Sequence, residues 1–130
     1  MKANTHILVA EDDPDYLFLL KHNLQNLGYE VMTAESQKEA EKILEKSRPD
    51  LAIFDLMMET EDSGFILSYK TKKMYPDLPV IILTAVASET GISFNLNTDA
   101  EKKWIKADCY LEKGIRKDQL EKEITKLLNP

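Results

Sequence analysis

Asp50-Leu51-Ala52-Ile53-Phe54-Asp55 sets four apolar residues in a row and closes them with an acid. A short, wholly apolar run reads as a strand buried on both faces, as in a parallel sheet. An aspartate at the end of such a run is poorly explained as a solvated loop acid. In an open parallel sheet, the functional crevice lies beyond the carboxyl ends of the strands. Working outward, the arrangement recurs. Ile7-Leu8-Val9-Ala10 runs into Glu11-Asp12-Asp13, Val80-Ile81-Ile82-Leu83 into Thr84, and Cys109-Tyr110-Leu111 toward Lys113. Glu30-Val31-Met32-Thr33 is a weaker strand.

Amphipathic segments lie between these strands. Asp13 as N-cap and Pro14 at the first helical position start a helix, with Leu17, Leu20, Leu24 and Leu27 on one face and Gly28 as its stop. Ser36-Gln37-Lys38-Glu39 has the form of a capping box before the stripe of Ala40, Ile43 and Leu44, and Arg48-Pro49-Asp50 ends that helix. Ser63-Gly64 opens another that runs to about Tyr75 and is broken by Pro76-Asp77-Leu78-Pro79. The last helix spans about Lys117 to Leu128, with Leu120, Ile124, Leu127 and Leu128 on one face. Ala87 to Ala107 reads as a long loop, then a capping box at Thr98-Asp99-Ala100-Glu101 and a short helix around Trp104. The alternation predicts an α/β fold: a doubly wound, five-stranded parallel sheet with helices on both faces.

Composition narrows the class. The chain has 130 residues, 43% apolar and 31% charged, the balance of one soluble globular domain. No linker or repeat divides it, so residues 1–130 are expected to form a single domain with no output domain attached. No apolar run approaches the about 20 residues of a membrane span, and no signal peptide is evident. The net charge of −6 argues against direct nucleic-acid binding. Cys109 is the lone cysteine and is expected to be a small buried hydrophobe, which fits a cytoplasmic protein.

The strand-end residues carry the chemistry. Carboxylates gathered on one rim repel one another unless a cation is present. Oxygen ligands without nearby His or Cys suit Mg2+ or Mn2+ better than Zn2+. A carboxylate beside such an ion can attack phosphorus, with a lysine and a hydroxyl stabilising the phosphoryl oxygens. Singly, each residue is ordinary: Asp13 an N-cap, Lys113 a surface lysine, Thr84 a β-branched strand residue. Their occurrence together and in order is what counts.

On Ile7–Asp13, Asp50–Met58, Ile81–Ala85 and Tyr110–Lys113, the chain resembles the receiver domains of two-component response regulators across essentially its whole length. The resemblance implies a flavodoxin-like strand order of 2-1-3-4-5. It implies Asp55 as phosphoacceptor, and a metal held by Glu11, Asp12, Asp55 and the backbone carbonyl of Met57. Thr84 and Lys113 would bind the phosphoryl group, and Tyr110 would be the switch aromatic. Inward motion of Thr84 and Tyr110 would remodel the face formed by the fourth helix, fifth strand and fifth helix. The implied partners are a histidine kinase or phosphotransfer protein and a downstream protein target, with the chain a monomer or weak homodimer. Such a domain is a self-phosphorylating, self-dephosphorylating switch and only loosely an enzyme.

The chain also departs from the family pattern. Glu11 stands where many members have Asp, Glu59 where Pro is usual, and Gly114 where a Pro, often in a cis bond, is common. Gly64 comes one residue late, and Thr84 and Lys113 stand 29 positions apart, several more than is usual. These features predict a reshaped acidic loop, a less rigidly aimed Lys113 and an altered signalling surface in 87–107. They also sustain a competing reading, a phosphorylation-independent interaction module. A flavodoxin-like cofactor binder is disfavoured because Glu11-Asp12-Asp13 would repel a phosphate. A phosphatase with an aspartyl nucleophile usually has a second Asp where this chain has Met57.

Overall fold

Residues 5–60, 62–84 and 107–129 are described by the computed structural model. Five strands, β1 (His6–Ala10), β2 (Glu30–Ala34), β3 (Leu51–Asp55), β4 (Val80–Thr84) and β5 (Cys109–Glu112), form one parallel sheet in the order β2-β1-β3-β4-β5. Four helices flank it among the described residues: α1 (Pro14–Asn26), α2 (Gln37–Lys46), α3 (Ser63–Met74) and α4 (Lys117–Leu128). Both the sheet and its strand order match expectation. The expected loop and helix around Trp104 lie outside the described residues, apart from Ala107.

Strand side chains alternate faces, and the core divides accordingly. Ile7, Val9, Ile53, Ile81 and Leu83 pack under Leu17, Leu20 and Leu24 of α1 and Leu120 and Ile124 of α4. Leu8, Ala10, Ala52, Phe54 and Ile82 pack under Ala40 and Leu44 of α2 and Leu67 of α3. Burying both faces of β1, β3 and β4 is what their unbroken apolar runs require. The register sets Asp55 beside Leu83 and Thr84 beside Glu112, so the polar strand ends reach one rim.

Local signals explain the helix starts and stops. Asp13 accepts the Asp15 N–H at 3.0 Å, Pro14 takes the first helical position, and Gly28 follows the helix at φ 97°. The capping box of α2 is only half formed. Ser36 Oγ accepts the Glu39 N–H at 3.1 Å, but Glu39 Oε1 accepts from Glu35 N at 3.4 Å instead of from Ser36. Tyr75 caps α3, and its hydroxyl donates to the Leu44 carbonyl at 2.6 Å, tying α3 to α2. Cys109 corrects an expectation: it is only partly buried, on the outermost strand, with Sγ 4.0 Å from Glu123 Oε1. No described helix is long and apolar enough to cross a membrane.

Candidate phosphoacceptor site

Because β1 and β3 are neighbours, the residues that end them meet. Glu11 is held in line by its N–H on the Ala34 carbonyl at 3.0 Å, and its side chain is fully buried. Asp55 ends β3 and is 4% exposed. Glu11, Asp12 and Asp55 each offer a carboxylate oxygen, and these oxygens lie within 4.8 Å of one another. Asp13 stands apart from them: its side chain caps α1, and its N–H donates to Glu11 Oε2 at 3.1 Å.

Lys113 reaches the same rim from the turn after β5. Its N–H donates to the Thr84 carbonyl at 2.8 Å, which fixes the start of its side chain against β4. Nζ lies 2.7 Å from Glu11 Oε1 and 3.3 Å from Asp55 Oδ1. Burial works against the charged ammonium, but the Glu11 and Asp55 carboxylates more than offset it and raise its pKa. For Asp55, burial and then the hydrogen bond and charge of Glu11 outweigh Lys113 and push the carboxyl to about 7. Asp12 is raised by burial and by Glu11. One lysine does not neutralise three clustered carboxylates. The set is all hard oxygen donors with excess negative charge, which fits a small divalent cation such as Mg2+.

Thr84 and Tyr110 occupy the other face of the sheet. Ile82 pairs with Tyr110 in register, so Thr84, two residues on, leaves β4 on the side of Tyr110. Tyr110 packs edge-on against Phe65 of α3, with ring centroids 6.3 Å apart, and burial raises its phenol pKa well above the usual range. The structure therefore brings Glu11, Asp12, Asp55 and Lys113 into one cluster. Thr84 stands on the same rim, and Tyr110 stands behind Thr84. Met57, half exposed, follows in the loop after β3.

Two side chains shape this site that the strand-end pattern did not reveal. Glu59 turns away from the acids, and its carboxylate accepts from the N–H groups of Gln37 at 2.8 Å and Lys38 at 3.1 Å. Burial opposes its charge, but those backbone donors at the start of α2 hold its pKa below the ordinary value. The loop's extra acid thus serves a helix terminus. Tyr16 of α1 accepts the Gly114 N–H at 3.2 Å, and its ring centroid lies 5.2 Å from Lys113 Nζ. Neither role has a local sequence signal. The described residues contain no cis bond, so Lys113-Gly114 is trans, with Gly114 at φ 91°.

Comparison with known proteins agrees with this geometry. The model of the response regulator receiver domain matches residues 7–125. Transcriptional regulatory protein GlrR of Escherichia coli is 45% identical over 83 residues, 64% of this chain but 18% of that protein. The transcriptional regulatory protein PhoP of Bacillus subtilis is 33% identical over 98 residues, 75% of this chain and 40% of that protein. The chain thus spans less than half the length of these curated relatives. Among solved structures, a CheY-like receiver domain protein from Methanospirillum hungatei superposes with a TM-score of 0.82 at 26% identity, covering 97% of this chain and 94% of that one. Response regulator TrrA of Thermotoga maritima, solved with Mg2+ and BeF, gives a TM-score of 0.77 at 32% identity, covering 95% of this chain and 98% of that one. With sheet order, acidic rim and family match in agreement, the chain belongs to the response regulator receiver domain family.

Proposed function

We propose that this chain is the phosphoacceptor of a two-component pathway, with Asp55 taking a phosphoryl group from a phosphohistidine on a histidine kinase or phosphotransfer protein. The observation that carries the proposal is the Asp55 carboxylate itself: buried, at the end of an interior strand, clustered with Glu11 and Asp12 and 3.3 Å from Lys113. An Asp55 oxygen forms the new bond to phosphorus as the bond to the imidazole nitrogen breaks, and the freed imidazole takes up a proton. Lys113 shifts from Asp55 and Glu11 toward the phosphoryl oxygens, and the Thr84 hydroxyl donates to one of them. Glu11, Asp12, Asp55 and the Met57 carbonyl would hold Mg2+ or Mn2+. Such an ion supplies charge neutralisation for the carboxylates and the incoming phosphoryl group.

Movement of Thr84 toward the phosphoryl group vacates space beside Tyr110, which follows inward. The face around β5, α4 and the expected helix near Trp104 then changes for a downstream protein. The helix near Trp104 lies outside the described residues. The domain acts as a switch that gains and loses one phosphoryl group, not as a turnover enzyme, and works in the cytoplasm as a monomer or weak dimer.

Intact mass after incubation with acetyl phosphate, in Mg2+ or EDTA, tests this reading. The expected result is a gain of one phosphoryl group in Mg2+, absent in EDTA and in Asp55→Asn. No gain under conditions that label a control receiver would overturn it in favour of a phosphorylation-independent interaction module.

A further inference from the structure

The turn after β5 has to aim Lys113 without the proline that the family pattern usually places next. Gly114 at φ 91° permits the turn, with open space where a Cβ would sit. Glycine leaves the backbone freer than proline would. A lysine ammonium is a point charge on a flexible four-carbon stem, so it does not orient itself.

Tyr16 contacts both halves of this turn. Its hydroxyl accepts the Gly114 N–H at 3.2 Å, a bond between residues 98 positions apart. Its ring lies against the Lys113 ammonium, with Nζ 5.2 Å from the centroid. The side chain is anchored on a helix capped by Asp13 and held down by Leu17, Leu20 and Leu24. The ammonium is thereby set between an aromatic surface on α1 and the oxygens of Glu11 at 2.7 Å and Asp55 at 3.3 Å. A ring at this distance attracts a cation through its quadrupole without neutralising it, so Lys113 keeps its full charge for the phosphoryl oxygens.

We infer that Tyr16 is a positioning residue that aims Lys113 at the phosphoryl group, doing from α1 what a proline after the lysine would do within the turn. The inference rests on Asp55 being the phosphoacceptor. It predicts that Tyr16 governs binding of the phosphoryl group more than binding of the metal, because its contacts run through Lys113 and Gly114 and not through the carboxylates.

The test is binding of Mg2+ alone, then of beryllofluoride, a phosphoryl mimic, in saturating Mg2+. Calorimetry would follow both for the full chain, Tyr16→Phe, Tyr16→Leu, Lys113→Ala and Tyr16→Leu/Lys113→Ala. Tyr16→Leu is expected to weaken beryllofluoride about tenfold and Tyr16→Phe, which keeps the ring, about threefold. Mg2+ affinity is expected to stay within about twofold of the unsubstituted chain. In the Lys113→Ala background, Tyr16→Leu is expected to have no further effect, which a general packing role would not produce. Equal losses for Mg2+ and beryllofluoride would overturn the inference, as would the same loss with Lys113 removed or no loss in either variant. Should Tyr16→Leu fail to fold by circular dichroism, Tyr16→Phe alone decides, and an unchanged beryllofluoride affinity counts against the role. A folded unsubstituted chain that binds no beryllofluoride in Mg2+ removes the phosphoacceptor reading itself, and this inference with it.

Discussion

The Asp55 carboxyl is disfavoured in its charged form by burial and by Glu11, more than Lys113 can correct. Its folded pKa is therefore raised from the ordinary 3.8 to about 7. The folded chain holds this proton where the unfolded chain has released it. The group's contribution to stability is thus fully present below 3.8 and is lost as pH rises through about 7. Asp55→Asn removes the penalty. We predict that in EDTA at about pH 8 this variant is more stable than the unsubstituted chain, by on the order of 2 kcal/mol, with the gain shrinking toward pH 4. Thermal unfolding across that pH range checks it, and a less stable variant at about pH 8 would contradict it. Glu11, Asp12, Asp55, Thr84 and Lys113 were all legible in the sequence because each follows an apolar run that fixes where it emerges. Tyr16 was not. Its position on α1 is set by helical phase, but its partners come from a turn 98 positions later, and only the folded sheet brings them together.

Among the elements, the loop between β3 and α3 shows how a departure from the family pattern is absorbed. Glu59 satisfies two N–H groups at the start of α2, and Ser36 satisfies a third. These are donors that a helix terminus leaves without an intrahelical partner. We predict that Glu59→Ala lowers stability by about 1 kcal/mol and Glu59→Gln, which keeps an acceptor, by less, as measured in urea. Equal effects would show that the carboxyl's hydrogen bonding is immaterial. Gly64 begins α3 against the end of β3. A Cβ there would stand 2.6 Å from the Asp55 carbonyl oxygen and 2.7 Å from Leu56 Cα. Gly64→Ala is therefore expected to cost about 2 kcal/mol and, on the proposed function, to slow phosphorylation by acetyl phosphate, since the clash displaces the backbone of Asp55. An unchanged rate and midpoint would contradict that contact. Helix starts at Asp13 and Ser36 were legible because their caps are local. The Glu59 cap was not, because acceptor and donors lie 21 and 22 positions apart.

For the whole molecule, the alternation of apolar runs and amphipathic stripes specified a parallel sheet covered on both sides. The strand order came from the family resemblance, since periodicity says which faces are buried but not which strands are neighbours. That order is what converts separate strand ends into one site: β1 beside β3 joins Glu11 and Asp12 to Asp55, and β5 beside β4 delivers Lys113. A rim built this way should direct one phosphoryl group to Asp55 and to no other acid. Borohydride reduction after labelling with acetyl phosphate and Mg2+ converts an aspartyl phosphate to homoserine, and peptide sequencing by mass spectrometry locates it. Homoserine is expected at position 55 and nowhere else. Homoserine at position 12 or 13, or at no position in a chain that is folded and saturated with Mg2+, would contradict the assignment of Asp55 as phosphoacceptor.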